Sequence, residues 1–277
     1  MRFKLYREHG ALNSPPVFSA VEQGLISQGH QIVDRDEDVA VIWSVLWAGR
    51  MRPNKMIYEN ARLLNKPVLI IEVGNLKRGH TWRLSLNHIN NLGFFGNQEN
   101  LDEDRPAKLG VSLKSSPTKT RGEVLIACQH QESLQWEGMP LMKDWATDLI
   151  NKIKLHTHRR IIVRYHPRSS FPFSMPGIMV ERPKSIPGTY DDFDIFYNYH
   201  CVINYNSGPA VQAAINGIPI LCDSSSLASA VSIQWANLDN PYVPDRHEWF
   251  TKLCHTEWTL DEIRQGTPIS RLFLDNV

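Results

Sequence analysis

The chain has 277 residues, of which 42% are apolar and 21% charged, and its formal net charge is +1. This composition is typical of a globular protein and excludes an intrinsically disordered one. The length suffices for two modest domains or one large α/β domain. Every apolar run falls well short of the roughly 20 residues that span a bilayer, and the N-terminus lacks the apolar core of a signal peptide. We therefore expect a cytoplasmic protein with no membrane partner.

The first part of the chain alternates between strand and helix patterns. Apolar residues at helical spacing predict one helix from Ser14-Pro15-Pro16 to Gly29 and another at Asn54–Leu64. Short apolar runs predict four strands, at Phe3–Tyr6, Gln31–Val33, Val39–Val45 and Pro67–Val73. This alternation indicates a parallel sheet with helices on both faces.

The pattern weakens between Gly74 and Ser116 and then restarts. Lys114–Thr120 resembles a linker. A helix is predicted at Met142–Leu155, and strands at Glu123–Cys128, Arg160–Tyr165 and Ile178–Glu181. We expect one Rossmann-like domain at residues 1–116, a second at 117–257, and a helical tail at 258–277 that packs back on the first. Two such domains usually place their site in the cleft between them.

Residues 201–222, CVINYNSGPAVQAAINGIPILC, predict a strand, a tight turn, a helix that ends at Gly217, and a second buried strand. Asn206, Ser207 and Gly208 form the turn, and Pro209 suits the first turn of the helix. A helix that begins at the carboxyl end of a parallel strand presents free N–H groups and a positive dipole end, which favours phosphate or diphosphate. The alternative is an ordinary α/β turn that binds nothing.

A basic strand end forms a second candidate anion site. Pro167 forces the chain out of the strand Arg160–Tyr165. The carboxyl end of that strand therefore carries Arg164, His166 and Arg168. Guanidinium groups suit bidentate phosphate contacts, so this segment is a candidate diphosphate clamp. The alternative is a turn that His166 caps, with solvated arginines. Ser133 leaves another strand end as a candidate cap or phosphate donor.

Acidic residues provide candidate catalytic bases in the first half of the chain. Glu72 ends the strand Pro67–Val73, and a carboxylate delivered into a cleft can act as a general base for a hydroxyl nucleophile. His9 and Glu8, which follow the first strand, and Asp34, which follows the second, are competing candidates. Further along the chain, Asp191 and Asp192 are expected to cap a helix at Ile195–Tyr199.

The segment from Arg50 to Arg83 is strongly basic. It contains eight lysines and arginines against two glutamates. Such a surplus predicts a surface that binds a polyanion, although a solvated helix and loop is the alternative. Trp82 adds a flat apolar surface that suits a sugar or an unstacked base. The candidate acceptor-binding residues are Arg50, Arg52, Lys55, Lys77, Arg78, Trp82 and Arg83.

The cysteines do not indicate a metal site. Cys128, Cys201, Cys222 and Cys254 show no Cys-x-x-Cys spacing, and three of them lie in or beside apolar runs. We therefore predict buried free thiols and no zinc.

The second half of the chain resembles the carboxyl-terminal domain of GT-B glycosyltransferases, most closely the capsular-polysaccharide and glycerophosphotransferase-like group. The resemblance covers about residues 122–270. It lies in the strand exit before Ser133, in Arg164-x-His166-Pro167, in Asn206-Ser207-Gly208, and in Trp258-Thr259-x-x-Glu262-Ile263-x-x-Gly266. The first half, which is short and basic, departs from that group.

The resemblance implies a two-domain GT-B fold in which the second domain binds a nucleotide-sugar. Ser207, Gly208 and Arg164 would hold the diphosphate, with His166 near the same phosphates. The first domain would bind the acceptor and supply a base. GT-B enzymes generally need no bound metal, so no cofactor is expected beyond the nucleotide-sugar co-substrate; Asp34-x-Asp36 is only a weak match to a metal motif.

A compact GT-B chain with a basic acceptor domain is also similar to phage enzymes that glycosylate hydroxymethylated pyrimidines in DNA. This similarity implies transfer of glucose from UDP-glucose to double-stranded DNA, with the basic segment along the phosphates and the base flipped out. The alternatives are a surface or capsular polysaccharide transferase with a saccharide acceptor, and a nucleotide-sensing or DNA-binding module without catalysis.

Overall fold

The computed structural model describes residues 1–184, 186–187, 190 and 198–273, so Asp191, Asp192 and most of the helix predicted beside them lie outside the described residues. The strands are β1 (Arg2–Leu5), β2 (Gln31–Ile32), β3 (Val39–Trp43), β4 (Val68–Val73), β5 (Trp82–Leu86), β6 (Val124–Ala127), β7 (Ile161–Arg164), β8 (Met179–Glu181), β9 (Cys201–Ile203), β10 (Ile220–Leu221) and β11 (Glu257–Trp258). The helices are α1 (Pro15–Ser27), α2 (Asn54–Leu63), α3 (Arg105–Lys108), α4 (Met142–Lys154), α5 (Gly208–Ile215), α6 (His247–Cys254), α7 (Leu260–Arg264) and α8 (Thr267–Phe273).

The chain divides into two compact units, each with its own sheet. Unit 1 comprises residues 1–109, 132–134 and 251–277, and unit 2 comprises residues 110–131 and 135–250. These bounds differ from the expected 1–116, 117–257 and 258–277, because the segment around Ser133 and the residues from Thr251 onward group with unit 1.

The sheet of unit 1 has six strands in the order β11-β5-β4-β3-β1-β2. Strands β1 to β4 run parallel, as the alternating pattern predicted. The chain builds outward from β1 first to β2 and then, on the other side, to β3 and β4. The point between β1 and β3 is therefore a topological switch point, where open α/β sheets bind ligands beyond the carboxyl ends of the strands.

The predicted parallel arrangement in unit 1 is wrong for the two strands at one side of the sheet. Strand β5 pairs antiparallel with β4, and β11 pairs antiparallel with β5. The segment that contains β5 lacks the continuous apolar run of a buried strand because Arg83 and Ser85, although buried, occupy alternate positions of WRLSL. Arg83 is balanced by Glu257 of β11, which is far away in the sequence.

Apolar side chains cover both faces of the sheet in unit 1. On one face, Phe3 and Ile71 pack with Phe18 of α1 and with Ile263 and Ile269 of the tail helices α7 and α8. Fully burying such a side chain contributes about 1.5–3 kcal/mol. A Cβ atom at Gly24 would lie 2.1 Å from the Ile263 carbonyl oxygen, so only glycine allows α1 to approach this close to the tail.

The sheet of unit 2 is parallel throughout, in the order β10-β9-β6-β7-β8. Strand β6 is its first strand along the chain. The chain continues to β7 and β8 on one side of β6, then returns to β9 and β10 on the other, which is the dinucleotide-binding (Rossmann) strand order. The switch point lies between β6 and β9, and α5 begins at the carboxyl end of β9. The predicted α/β class is confirmed, with a mixed sheet in unit 1 and a parallel sheet in unit 2.

The cysteines have no disulfide partners. Cys128, Cys201 and Cys254 are buried, and Cys222 is partly buried. Burial raises the pKa of the Cys222 thiol to about 11, so this thiol stays protonated at neutral pH. Within the described ranges, no helix is long and apolar enough to cross a membrane.

Candidate functional site

The turn between β9 and α5 is held by one buried side chain. Asn204 donates from Nδ2 to the Ala127 carbonyl oxygen (2.7 Å) and to Ser207 Oγ (3.0 Å), while its Oδ1 accepts the Ser207 N–H (2.8 Å). Ser207 is the N-cap residue of α5 and has extended backbone geometry, but its side chain makes no capping bond within the described chain. The first turn of α5 therefore has backbone N–H donors to offer an anion at the switch point.

Asn206 lies in the turn before α5 as predicted, but its side chain is buried against polar partners. It is 6% exposed, and its side chain accepts from Gln129 Nε2 (3.1 Å) and donates to Ser225 Oγ (3.0 Å). Ser225 Oγ in turn donates to Asp223 Oδ1 (2.6 Å). Asn206 thus links the turns that follow β6, β9 and β10, and both ends of its amide are occupied. This arrangement argues against a diphosphate contact through Asn206.

Arg164 also differs from the prediction. Its side chain is 8% exposed, and its Nε and Nη2 lie 2.8 and 2.7 Å from Glu181 Oε1. Nη2 also donates to the Tyr199 hydroxyl (2.8 Å), which donates to the same Glu181 oxygen (2.5 Å). Burial raises the pKa of Glu181, but the hydrogen bonds from Tyr199 and Arg164 outweigh it and lower that pKa overall. The guanidinium is part of a buried ion pair rather than an open phosphate clamp.

Two histidine rings lie together beyond β6 and β7. The ring centroids of His130 and His166 are 5.2 Å apart and the rings meet edge to face. His166 Nδ1 accepts the Arg168 N–H (3.1 Å), so the proton of a neutral His166 ring is on Nε2. His166 therefore stays a candidate donor to an anion at this edge of the sheet, and Arg168 is exposed beside it.

An aromatic cavity of about 370 Å³ opens beside the switch point of unit 2. Trp145 of α4, Tyr205 and Trp235 form its apolar walls, and Asn204 and Asp223 supply polar atoms. This volume is in the range of small-molecule sites. The sequence does not indicate this cavity, because its walls come from segments as far apart as residues 145 and 235. Asn204 could have been identified, since it directly follows the apolar run of β9.

In unit 1, Glu72 lies at the carboxyl end of β4 as predicted, and Ser44 follows β3 beside it. Ser44 Oγ donates to Glu72 Oε2 (2.7 Å), and the other carboxylate oxygen accepts the Val73 N–H (2.9 Å). Ser44 was not predicted as a site residue, because the predicted strand Val39–Val45 runs through it, whereas β3 ends at Trp43. Glu72 as a whole is partly buried.

The other candidate bases lie on the same sheet. His9 follows β1, on the switch-point side, and its Nε2 is 3.7 Å from Glu8 Oε1. The buried Asn54 donates to the carbonyl oxygens of His9 (3.3 Å) and Trp43 (2.7 Å), which ties the loops after β1 and β3 together. Asp34 follows β2 and is exposed. The structure places Glu72 and His9 at the carboxyl ends of β4 and β1, which are two strands apart in the sheet.

Five of the predicted acceptor-binding residues lie at this same end of the sheet, in two loops and in the first turn of α2. Arg50, Arg52 and Lys55 are exposed around the start of α2, and Lys77 and Arg78 lie in the loop after β4, where Lys77 is exposed and Arg78 partly buried. Because β3 and β4 are parallel, the two loops leave the sheet at one end.

The prediction of acceptor binding is wrong for the remaining two residues, Trp82 and Arg83, because both are buried. Trp82 is 7% exposed and packs in the core of unit 1. Arg83 is 5% exposed and contacts Glu257 Oε1 (3.3 Å) and the Ile89 carbonyl oxygen (2.9 Å). Both are in the strand β5 that the sequence analysis did not predict, and neither is placed to contact DNA.

Ser133 was grouped with the diphosphate-binding residues of the second domain. It lies instead in unit 1, where it forms an isolated β-bridge with Leu46. Among the described residues, no group of three or more histidine, cysteine, aspartate or glutamate side chains is arranged to hold a metal ion.

No protein-family model matches the chain, and no curated protein sequence matches it either. Among solved structures, two KpsC chains of Thermosulfurimonas dismutans are similar, one titled beta Kdo 2,4 transferase and the other beta Kdo 2,7 transferase. Each is 11% identical with a TM-score of 0.47; the first match covers 91% of this chain and 89% of that one, and the second 97% and 99%. A UDP-GlcNAc 2-epimerase of Methanocaldococcus jannaschii is 13% identical with a TM-score of 0.27, over 77% of this chain and 66% of that one. TM-scores under 0.5 do not decide fold or function.

Proposed function

We propose that the protein is a glycosyltransferase of the GT-B type that uses a nucleoside-diphosphate sugar. The observation that carries this proposal is the strand order of unit 2, with α5 starting at the carboxyl end of β9 beside the switch point. That arrangement is a recurrent nucleotide site, because the helix N-terminus favours negative charge and its N–H groups point at the ligand.

The donor is proposed to occupy two neighbouring parts of unit 2. Its diphosphate binds at Ser207 and Gly208, with His166 as a further donor. Its nucleoside, uridine in our preferred assignment, enters the aromatic cavity against Trp145 and Trp235. The cavity and the start of α5 are adjacent, because Asn204 lines the cavity and also accepts the Ser207 N–H.

Glu72 is the proposed general base for the acceptor hydroxyl, with His9 as the competing candidate. Glu72 takes the hydroxyl proton while the hydroxyl oxygen forms a bond to the anomeric carbon of the sugar. The bond from that carbon to the diphosphate oxygen breaks, and its electron pair leaves with the nucleoside diphosphate. The N–H groups of α5 stabilise the charge that develops on the leaving group, so we propose that no metal ion is required.

For the acceptor, we propose a hydroxymethylpyrimidine in double-stranded DNA, with glucose as the sugar. Support comes from the exposed or partly exposed cations Arg50, Arg52, Lys55, Lys77 and Arg78, which lie at the same sheet edge as Glu72. Lysine and arginine side chains that bind DNA phosphates displace the counterions condensed on the DNA, which favours binding at low salt. The target base must leave the stack to expose its hydroxymethyl oxygen.

The test is incubation of the purified protein with UDP-glucose and other nucleotide-sugars, each with hydroxymethylated or unmodified DNA, followed by mass spectrometry of the nucleosides. The expected result is a hexose adduct on hydroxymethylated DNA alone, lost in Glu72→Gln while affinity for the nucleotide diphosphate stays within about threefold. Adducts that persist in Glu72→Gln remove Glu72 as the base.

A saccharide acceptor is the second candidate, because the same cationic edge suits an acidic polysaccharide. It is favoured if DNA is not modified and transfer to acidic oligosaccharides occurs. Binding of nucleotide diphosphate without transfer to any acceptor indicates a non-catalytic module and overturns the enzyme assignment.

A further inference from the structure

Ser44 has an unusual backbone conformation at the end of β3. Its φ is +62°, in the left-handed region that L-amino acids other than glycine rarely adopt. The other four non-glycine residues with positive φ in the described chain are all Asn or Asp, which tolerate this region. Backbone strain of this kind clusters at functional sites, so the outlier directs attention to the Ser44 side chain.

The hydrogen bonds around Ser44 fix the orientation of its hydroxyl group, so that its proton points to Glu72. The Leu46 N–H donates to Ser44 Oγ (3.2 Å), and Ser44 Oγ donates to Glu72 Oε2 (2.7 Å). A hydroxyl has one proton to donate, and here that proton goes to the carboxylate. The Ser44 N–H donates to the Ile71 carbonyl oxygen (2.7 Å), which anchors the residue to β4 next to Glu72.

We propose that Ser44 is a positioning residue for Glu72, and this rests on the proposed function. With Ser44 on Oε2 and the Val73 N–H on Oε1, both carboxylate oxygens are fixed, and the carboxylate cannot rotate about its last bond without losing both contacts. Proton transfer from an acceptor hydroxyl needs a lone pair at a defined place. The left-handed backbone of Ser44 is what brings its hydroxyl to the carboxylate.

Orientation of this kind affects turnover more than binding. A base displaced by about 1 Å can lose on the order of 100-fold in rate. Donor binding takes place in unit 2 and does not use Ser44. Loss of the hydroxyl is therefore expected to lower kcat and leave the KM for the nucleotide-sugar unchanged.

Two substitutions separate the hydroxyl from the backbone. Ser44→Ala removes the hydroxyl and keeps the strain, whereas Ser44→Gly removes the hydroxyl and relieves the strain. We expect both to lower kcat by about 10- to 100-fold with the KM for nucleotide-sugar within twofold. A Ser44→Gly variant with full kcat overturns the proposal.

The contact itself has a readout that does not need activity. In protein labelled with ¹³C at glutamate side chains, the Glu72 carboxyl resonance is identified by its loss in Glu72→Gln. We expect Ser44→Gly to shift it, and an unchanged resonance overturns the positioning role. A shifted resonance in a protein that transfers to no acceptor rejects the proposed function and, with it, a catalytic meaning for the contact.

Discussion

At the scale of single residues, Arg164 shows how a strand-end cation can serve stability instead of binding. The side chain leaves β7 at its last residue, as a ligand-binding residue would. Its neighbour on β8 in the same register is Glu181, and the two side chains pair inside unit 2 with Tyr199. The sequence gives no sign of this pairing, because register between β7 and β8 is not visible in the chain.

We predict that Arg164→Ala destabilises the protein by about 2–4 kcal/mol, because it removes the closer of the two guanidinium groups beside the partly buried Glu181 carboxylate. The measurement is the free energy of unfolding in urea. Arg121→Ala is the control, since Arg121 lies in the same cluster but is 42% exposed, 3.5 Å from Glu181. It should cost less than about 1 kcal/mol. Equal losses of unfolding free energy in Arg164→Ala and Arg121→Ala would contradict the interpretation that Arg164 and Glu181 form a stabilising buried ion pair.

At the scale of elements, continuous apolar runs predicted the strands well, and alternating ones did not. The run VLIIEV of β4 and the run VLIA of β6 are buried almost throughout, and burial of both faces is what makes a parallel strand readable. β5 was not predicted because the charge of its buried Arg83 is balanced by Glu257, which is 174 residues away in the sequence. Pairing over that distance leaves no local pattern.

The end of α5 depends on a glycine that the sequence identified correctly as a helix stop. Gly217 has φ +73°, and a Cβ atom there would lie 2.7 Å from the Ser115 carbonyl oxygen. The chain can take this turn beside the segment around Ser115 only without a side chain. A left-handed conformation alone costs a residue with a Cβ about 1–2 kcal/mol.

We predict that Gly217→Ala lowers the free energy of unfolding by about 2–4 kcal/mol, because a steric clash with backbone adds to the conformational cost. Gly138→Ala is the matched control. Gly138 has φ +75° in the same unit but no atom within 4 Å of an added Cβ, so its cost should be about 1 kcal/mol. Similar values for the two variants would show that the contact with Ser115 does not constrain α5.

At the scale of the whole molecule, the candidate sites follow from strand order rather than from motifs. The sequence showed where strands end, and hence which polar residues leave the sheets. It did not show that β1 lies between β2 and β3, or that β6 lies between β7 and β9, and these orders define the two switch points. Strand order depends on pairings between distant segments, so the contacts of Ser44 with Glu72 and of Asn204 with Ala127 became apparent only in the folded sheets.

Several titratable groups in both units share one direction of pKa change. Burial lowers the pKa of His30, His88, His200 and His255 below the ordinary value of 6.5. Burial raises the pKa of Glu262, but hydrogen bonds from Arg105 and Thr259 outweigh it and lower that pKa below 4.5, as happens at Glu181. In each case the unfolded chain binds protons more readily than the folded one.

Stability should therefore fall in two stages on acidification. Where the folded pKa is the lower one, the stabilisation is complete above the unfolded pKa and is lost as the pH falls from there through the folded pKa. The histidines set the first stage, below about pH 6.5, and the glutamates the second, below about pH 4.5. Urea midpoints measured from pH 8 to pH 3 should be flat at first and then decline in both ranges. The Glu262→Gln variant should be less stable at neutral pH and lose less in the second stage. A midpoint that rises below pH 6.5 contradicts the assignment of the histidines as groups buried in their neutral form.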